Sequence, residues 1–303
     1  MIQQPFYSFN TYLREKFGQR VHRISLNAGF NCPNLDGKLS KEGCIYCNNA
    51  AFGIYVTTPK PLKIQIEDSI AYYKKKFKVT KFIAYFQAFS NTYAPIEVLK
   101  KTYDIIKNFD EIVGLFISTR PDCINEEIMS LISSYQKNYL VWVEYGLQTT
   151  HNNVLKTLNR NHTFEDFLIA LDLARKFKIN VGVHIILGLP FLNYNETVQD
   201  AQRLSQLDIQ GIKFHILHVL KNTKLEKLYC EGKIKLLTKE EYIKIICDFI
   251  ERIPKDFVIL RLISSADKNY LVAPLWMNDK ISIINEITKE FKRRGTFQGY
   301  FVG

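Results

Sequence analysis

The sequence predicts an α/β fold in which repeated β–α units surround a parallel sheet. Short β-branched or aromatic runs alternate with longer amphipathic stretches, which is the order that such units produce. The 303 residues can form one α/β barrel or two ordinary domains. Since no Pro- or Ser-rich linker, low-complexity tract or short-period repeat divides the chain, we start from a single domain.

Six short runs have the length and composition of buried strands. Amphipathic helices are expected between them, as at Thr163–Phe177, where Thr163 is suited to be the N-cap. A later helix, Thr238–Arg252, begins with Thr-Lys-Glu-Glu, which is typical of a capping box. The six strand candidates are Val21–Leu26, Lys81–Phe86, Ile112–Ser118, Leu140–Tyr145, Ile179–Leu187 and Gly211–Leu217.

These elements divide the chain into three parts. Residues 1–20 form an N-terminal segment, residues 21–253 form the core of β–α units, and residues 254–303 form a C-terminal extension packed on that core. The extension contains another strand candidate, Phe257–Ile263, and a final helix from about Asp279 to Arg294.

The composition is that of a soluble globular protein. Hydrophobic residues make up 47% and charged residues 23%, which argues against a disordered or fibrous chain. Residues 1–20 lack the apolar stretch of a secretory signal, and the longest apolar run, Val181–Leu192, is too short to span a bilayer. We therefore expect a cytoplasmic protein without a membrane partner, in a reducing compartment where disulfides are rare.

The net charge of +11 and the pI near 9.2 would suit a polyanionic partner such as RNA. A second explanation stays open, because Lys far outnumbers Arg and because Ile, Asn and Tyr are abundant, as a genome-wide compositional bias would produce. The lysines would then only solvate helix faces. The basic residues concentrate in two groups, Lys74, Lys75, Lys76, Lys78 and Lys81, and Lys289, Lys292, Arg293 and Arg294.

Three of the six cysteines share one predicted loop. Cys32 is followed by Cys44 and Cys47, in a segment that also contains Gly37 and Gly43. Two cysteines separated by two residues can direct both sulfurs to one metal centre, and the distant third can close onto it. Because three thiolates leave one tetrahedral position unfilled, zinc, an iron–sulfur cluster and unliganded thiols all remain open.

The other metal candidates are weaker. For zinc a fourth Cys or His is expected nearby, and the nearest candidate, His22, lies within a predicted strand. Cys247 falls in an apolar helical pattern and is interpreted as a core residue. Cys123 and Cys230 are isolated and are given no role.

Polar residues follow several predicted strands at their carboxyl ends, where β/α barrels place their chemistry. Glu144 lies at the edge of an apolar strand and needs a partner, so a ligand contact and a salt bridge are both open. Alternation puts Lys213 and His215 on one face of the sixth strand. We take His184, His215 and His218 as candidates for substrate binding or proton transfer, although a lone His in an apolar strand is more often a core residue.

Four segments together resemble the radical S-adenosylmethionine superfamily, and specifically the YhcC/YtqA-type family that is allied to the catalytic subunit of Elongator. The long first gap between the cysteines departs from the Cys-x3-Cys-x2-Cys pattern of most of the superfamily and is what this family looks like. The segments are Asn31–Asn34 with Gly43–Asn48, Ala84–Gln87, Ser118–Asp122 and Ile185–Pro190.

The resemblance implies a partial (β/α)6 TIM-like barrel with a C-terminal extension, and a radical enzyme. Cys32, Cys44 and Cys47 would bind three irons of a [4Fe–4S] cluster, and the methionyl amine and carboxylate of S-adenosylmethionine would chelate the fourth. An electron from a reductant such as flavodoxin or ferredoxin would then cleave the sulfonium carbon–sulfur bond, which gives a 5′-deoxyadenosyl radical.

The resemblance also implies contacts to S-adenosylmethionine. Gln87–Thr92 replaces the segment that holds the methionyl amine, Arg160 looks like the arginine near the methionyl carboxylate, and Gly188 lies where the backbone passes the adenine. Glu144 and Gln148 match the motif near the ribose. A buried ion pair for Glu144 or Arg160, and a turn at Gly188, are the structural alternatives. The implied cofactor residues are Gln87, Asn91, Thr92, Ser118, Glu144, Gln148, Arg160 and Gly188.

The substrate suggested by the family resemblance and the positive charge is tRNA, with a modified wobble uridine side chain as the target. Arg261 and Trp276, in the extension, would shape the substrate side. Two alternatives remain open at this point. One is a radical enzyme with a small-molecule or protein substrate, and the other is a non-catalytic RNA-binding protein stabilised by zinc.

Overall fold

The computed structural model describes residues 4–52 and 58–302, and its centre is one parallel sheet. Seven strands form that sheet: β1 (Val21–Leu26), β2 (Lys81–Phe86), β3 (Ile112–Thr119), β4 (Leu140–Gln148), β5 (Asn180–Leu187), β6 (Gly211–Ile216) and β8 (Val258–Arg261). They are neighbours in this order, and every adjacent pair is parallel. The sheet is curled and does not close, because β1 and β8 are its two edges. The predicted partial barrel is confirmed.

The predicted strands agree closely with the observed ones, and the largest difference is at β4. This strand extends from the predicted end at Tyr145 to Gln148. The longer strand forms because Gln148 still pairs with Ile185 after an irregularity in the β4–β5 ladder. The irregularity brings Gln148 to the carboxyl end of the sheet, where the site lies.

The sheet includes one strand from the predicted extension. β8 pairs with β6, with Gly211 opposite Val258 and Ile212 opposite Ile259. The sheet therefore continues across the boundary expected at residues 253 and 254, and that boundary stays a prediction about chain organisation. A second, antiparallel ladder joins β7 (Val219–Leu220) to β9 (Leu271–Ala273).

Helices follow most of the strands, and their caps match the sequence signals. Thr163 and Thr238 both form capping boxes, with Asp166 and Glu241 respectively. Within the described residues, no helix is long and apolar enough to cross a bilayer. The α-helices are α1 (Phe9–Phe17), α2 (Leu62–Phe77), α3 (Ile96–Tyr103), α4 (Glu126–Ser134), α5 (Asn152–Thr157), α6 (Phe164–Lys176), α7 (Tyr194–Ser205), α8 (Lys224–Cys230), α9 (Lys239–Ile250) and α10 (Lys280–Arg294).

Aromatic side chains fill part of the interior of the half-barrel. The rings of Phe116 on β3 and Trp142 on β4 stack with centroids 5.6 Å apart, and Tyr12 of α1 meets Trp142 edge-on, also at 5.6 Å. The N-terminal helix therefore packs into the barrel rather than beside it. On α9, Cys247 is 0% exposed, which confirms it as a core residue.

Candidate active site

A cavity of about 460 Å³ opens at the carboxyl ends of the parallel strands, where β/α barrels carry their sites. A smaller cavity of about 120 Å³ adjoins it, and Cys47, Phe89, Ser118 and Gln148 line both. The two cavities therefore form one continuous site. Of the predicted site residues, the larger cavity brings together Cys47, Gln87, Ser118, Gln148, Arg160, His184, His215 and His218.

The three loop cysteines line the smaller cavity together. Their loop lies between β1 and α2, and hydrogen bonds rather than regular structure hold it in place. Asn34 Nδ2 donates to the Asn159 carbonyl at 2.5 Å and lies 3.5 Å from Cys44 Sγ. The Cys47 amide donates to the Cys44 carbonyl at 3.0 Å. The fold thus brings Cys32 to the same cavity as the Cys44–Cys47 pair.

Two arginines lie beside these sulfurs. Arg160 Nη1 donates to Cys44 Sγ at 3.5 Å, and its Nη2 donates to the Gly146 carbonyl at 2.6 Å. Arg120 also lines the smaller cavity and is bound to Asp122 through Nε at 2.8 Å and Nη2 at 2.7 Å. Both guanidinium groups favour the thiolate form of the nearby cysteines.

Burial opposes that effect. Burial, together with the neighbouring Cys44 and Cys32 thiolates, raises the pKa of Cys47 to about 12, although Arg160 lowers it. Burial also raises the pKa of Cys32. Three adjacent thiolates therefore require a positive centre between them, which a bound metal centre provides.

The arrangement of the donors fits a cluster better than a single ion. Among the residues that the structure describes, no three His, Cys, Asp or Glu side chains converge on one metal-ion position. His22 does not supply a fourth ligand, because its ring packs against Tyr73 and Phe77 of α2 at 4.0 and 5.6 Å. Three soft thiolates spread around a cavity suit a multi-iron cluster more than tetrahedral zinc.

Strained backbone surrounds the junction of the two cavities. Gln148 has a φ of +81°, and Ala88 and Phe89 have φ values of +65° and +62°. Residues other than glycine rarely adopt a positive φ, and those that do are concentrated at functional sites. All three residues line the larger cavity, so the strain lies where the predicted cofactor contacts lie.

Asn91 and Thr92 line neither cavity, and their side chains hydrogen-bond to the neighbouring backbone. Asn91 Nδ2 donates to the carbonyls of Ala88 and Ser118 at 3.0 and 2.9 Å. Thr92 Oγ1 donates to the Cys123 carbonyl at 2.5 Å. The two residues are 1% and 2% exposed and position the loop after β2, and their expected cofactor contacts stay a prediction.

Glu144 lies among three basic side chains, and its expected ribose contact stays a prediction. Its carboxylate is 0% exposed and lies 3.0 Å from Arg23 Nη1, 2.6 Å from Lys213 Nζ and 2.8 Å from His184 Nε2. Burial by itself raises the pKa of Glu144, but Lys213, Arg23 and His184 outweigh it and hold that pKa well below its usual range. The structure thus shows the buried ion pair that was the alternative interpretation.

Gly188 forms a turn and does not line either cavity. Its φ is +81°, and a Cβ atom placed on it would lie 2.8 Å from Cγ of Leu237. The position therefore needs glycine for both its backbone conformation and the packing of Leu237. This turn is the structural alternative, and the expected adenine contact stays a prediction.

The three candidate histidines all line the larger cavity. Burial, followed by the nearby Lys213 ammonium, lowers the pKa of His184 to about 3 despite its contact with Glu144. Burial also lowers the pKa of His215 well below its usual value. These two are therefore neutral at pH 7 and can accept a proton or a hydrogen bond rather than act as cations. His218 Nδ1 lies 2.9 Å from the Ile216 carbonyl.

Three polar residues of the site were absent from the sequence analysis. Tyr46 and Tyr85 line the larger cavity, as Lys213 and Arg261 also do, and Arg23 reaches Glu144 from β1. A sequence signal existed for Arg23, because it is a charged residue inside a strand candidate and needs a partner. Tyr46 and Tyr85 carry no such signal.

Comparisons with known proteins identify the family. The family model described as the Radical SAM superfamily matches residues 41–204, and that described as the Radical_SAM C-terminal domain matches residues 209–293. The chain belongs to the radical SAM superfamily. This radical SAM protein is 36% identical to YtqA of Bacillus subtilis (strain 168) over 99% of its own length and 93% of that protein. It is 31% identical to YhcC of Escherichia coli (strain K12) over 100% of its length and 97% of that protein.

Membership makes the protein a radical SAM enzyme of the YhcC/YtqA type, and the superfamily implies a [4Fe–4S] cluster and S-adenosylmethionine. A shorter match, 30% identical over 44% of this chain and 25% of its relative, is to a tRNA uridine(34) acetyltransferase of Methanocaldococcus jannaschii. The fold is similar to that of the archaeal Methanocaldococcus infernus Elp3 lacking residues 1–46. Its TM-score is 0.63 at 18% identity, and it covers 92% of this chain and 64% of that one.

Proposed function

We propose that Cys32, Cys44 and Cys47 hold the cluster and that this radical SAM enzyme modifies tRNA. The observation that carries the cluster assignment is that all three sulfur-bearing side chains line one cavity, which continues into a larger cavity at the carboxyl ends of the strands. When bound, the cluster and S-adenosylmethionine supply a 5′-deoxyadenosyl radical after a reductant such as flavodoxin or ferredoxin delivers one electron.

The protein's own residues bind the cluster, orient the cofactor and shield the site from water. The three thiolates hold the cluster, and Arg160 fixes Cys44 through its Nη1 contact while its Nη2 contact anchors it to Gly146. Gln87, Ser118, Gln148 and Arg160 are the cofactor contacts that we propose, because each lines the larger cavity. The buried strands around them exclude water from a reactive radical.

The tRNA part of the proposal is supported by the charge and by the partial similarity to a tRNA uridine(34) acetyltransferase. The lysines at the end of α2, Lys75, Lys76 and Lys78, are exposed and suited to phosphate contacts. The second basic group is less available, because Arg294 is ion-paired with Asp248 at 2.7 Å and with Glu290 at 2.7 Å. A modified wobble uridine side chain is the target we propose.

Two experiments test the proposal separately. Anaerobically reconstituted protein, mixed with dithionite and S-adenosylmethionine, should release 5′-deoxyadenosine. A colourless preparation with one zinc per chain and no 5′-deoxyadenosine would contradict the cluster assignment and favour a zinc-stabilised RNA-binding protein. Modified tRNA nucleosides should differ between cells with and without the gene. An unchanged nucleoside profile would contradict tRNA as the substrate, and the substrate would then be a small molecule or a protein.

A further inference from the structure

The inner wall of the larger cavity contains more basic than acidic side chains. We call Lys213 and His215 on β6 and Arg261 on β8 the cation wall, since all three line this cavity. None of them lines the smaller cavity that contains the three cysteines. The cation wall is therefore separate from the three cysteines, whereas Arg160 lines both cavities.

Lys213 is already paired with the Glu144 carboxylate. Its Nζ lies 2.6 Å from Glu144 Oε2 and 2.5 Å from the Tyr85 hydroxyl, and the side chain is 2% exposed. The same carboxylate is shared with Arg23 and His184. Glu144 is thus already shared among Arg23, Lys213 and His184, and no ion pair joins it to Arg261 in the described part of the chain.

Arg261 has no acidic partner in the described part of the chain. Its Nη2 lies 2.7 Å from Nδ1 and 2.8 Å from Nε2 of His215, and its buried Nε makes no hydrogen bond there. A partly buried guanidinium whose Nε lacks a partner and whose charge has no carboxylate beside it is costly, so the site calls for an anion. The planar donor edge of arginine matches the two oxygens of a carboxylate or a phosphate.

The electrostatics of the neighbouring groups agree with this geometry. Burial lowers the pKa of Arg261 to about 10, with Arg23 adding to that effect and Tyr85 and Glu144 opposing it. Burial and the Arg261 charge lower the pKa of Lys280 as well. The acid that lines this cavity, Asp267, is exposed at the rim and accepts from the Asn269 amide at 2.8 Å.

We propose that the cation wall is an anion site, in which Arg261, supported by His215, binds a carboxylate or phosphate group of the substrate. The proposal rests on the proposed function, because it identifies the class of molecule that enters the radical cavity. Ser264 and Ser265 line the same cavity and offer hydroxyl groups to the remaining oxygens. The substrate side chain is therefore negatively charged where it meets β6 and β8.

Calorimetric titration of the anaerobic, cluster-loaded protein tests this without turnover, with acetate and inorganic phosphate as separate probes and no S-adenosylmethionine present. At least one anion should bind, and Arg261→Gln should weaken that binding by about tenfold or more, as the loss of one charge-assisted pair predicts. Arg261→Lys keeps the charge and loses the planar donor edge. Its affinity for the anion should lie between those of the unmodified protein and Arg261→Gln. Arg175→Gln is the matched control, because Arg175 is 54% exposed on α6, and it should bind like the unmodified protein.

The comparison of probes identifies the source of the anion. Tighter binding of acetate supports a carboxylate on the modified side chain. Tighter binding of phosphate, with weaker tRNA binding by Arg261→Gln, supports a nucleotide phosphate. Equal affinities for the unmodified protein and Arg261→Gln, or no binding of either anion, would overturn the proposal. Because the titration needs no 5′-deoxyadenosine release, its failure is distinguishable from failure of the radical chemistry.

Discussion

The cysteine loop and the cation wall face the same site but balance their charges differently. In the loop, three cysteines surround a small cavity, and burial makes the thiolate of Cys47 unfavourable without a metal centre. Beside the cation wall, Glu144 of β4 is held between Arg23 of β1 and Lys213 of β6. The loop is therefore completed by a cofactor, whereas the wall is completed largely by the fold, with Arg261 left for a ligand.

The largest effect is expected from removing one thiolate of the loop. Cys44→Ala should abolish both the visible absorbance of the reconstituted cluster and 5′-deoxyadenosine release, because two cysteines cannot hold three irons. Cys230→Ser is the control, since Cys230 is exposed and distant in the sequence from the loop. Retention of a full cluster by Cys44→Ala would show that the loop does not act as proposed.

Removing the Glu144 carboxylate should destabilise the cation wall, because Lys213 of that wall pairs with it. Glu144→Gln leaves the buried Lys213 and the partly buried Arg23 without a counter-charge, and we expect a loss of about 3–5 kcal/mol in the free energy of unfolding, measured with urea. The matched control is Glu126→Gln, whose partner Lys176 is 60% exposed, so that less than about 1 kcal/mol should be lost. Adding Lys213→Met to Glu144→Gln should recover part of the loss. If the double variant is no more stable than the single one, the pair is not coupled.

The boundary between the two regions can be probed at Arg160. Arg160→Lys keeps the charge but loses one of the two hydrogen bonds, to Cys44 or to Gly146. A hydrogen bond that involves a charged group contributes about 1.5–3 kcal/mol. The dissociation constant of S-adenosylmethionine should rise by roughly tenfold to a hundredfold. Arg175→Lys on the surface should leave it unchanged. Lower iron content with unchanged affinity per cluster would instead assign Arg160 to the loop alone.

The buried His184, which shares Glu144 with Lys213 of the cation wall, makes the stability of the fold depend on pH. The pKa of His184 is about 3 in the folded protein and about 6.5 when unfolded, so the unfolded chain binds the extra proton more readily. The stability that His184 contributes is complete above about pH 6.5 and falls as the pH decreases toward 3, by up to about 1.4 kcal/mol per pH unit. His184→Gln should flatten the urea-unfolding profile between about pH 7 and 5. An unchanged slope would mean that His184 is not buried as a neutral ring.

The smallest effect on the site is expected from the surface lysines. Replacing Lys75, Lys76 and Lys78 by Gln should lower the dependence of tRNA affinity on salt by up to about one unit of slope per lost phosphate contact. Cluster content and 5′-deoxyadenosine release without tRNA should not change, because these side chains are exposed on α2. An unaltered salt slope would show that tRNA binds elsewhere, or that these lysines are only a solvated face.

Local patterns predicted the elements of the fold better than the contacts between them. The bounds of β1 and β2 and the capping boxes at Thr163 and Thr238 followed from short-range signals. The pairing of β8 with β6 did not, because a strand candidate at the end of a chain carries no local mark of its neighbour. For the same reason the expected cofactor residues separated into those that line the cavity, such as Gln148, and those that do not, such as Asn91.

The sequence by itself determined the fold class and, through the resemblance of its motifs, the superfamily, because these depend on the order of residue types along the chain. The cluster-binding role of the three cysteines stays a prediction. Only the tertiary structure decided which strand-end residues reach the cavity. Glu144 is an example, since one carboxylate in β4 meets Arg23 from β1 and Lys213 from β6. Those partners lie far apart in the sequence, and burial makes their pairing obligatory. The same distant packing leaves Arg261 without an acid in the described residues and so points to the charge of the substrate.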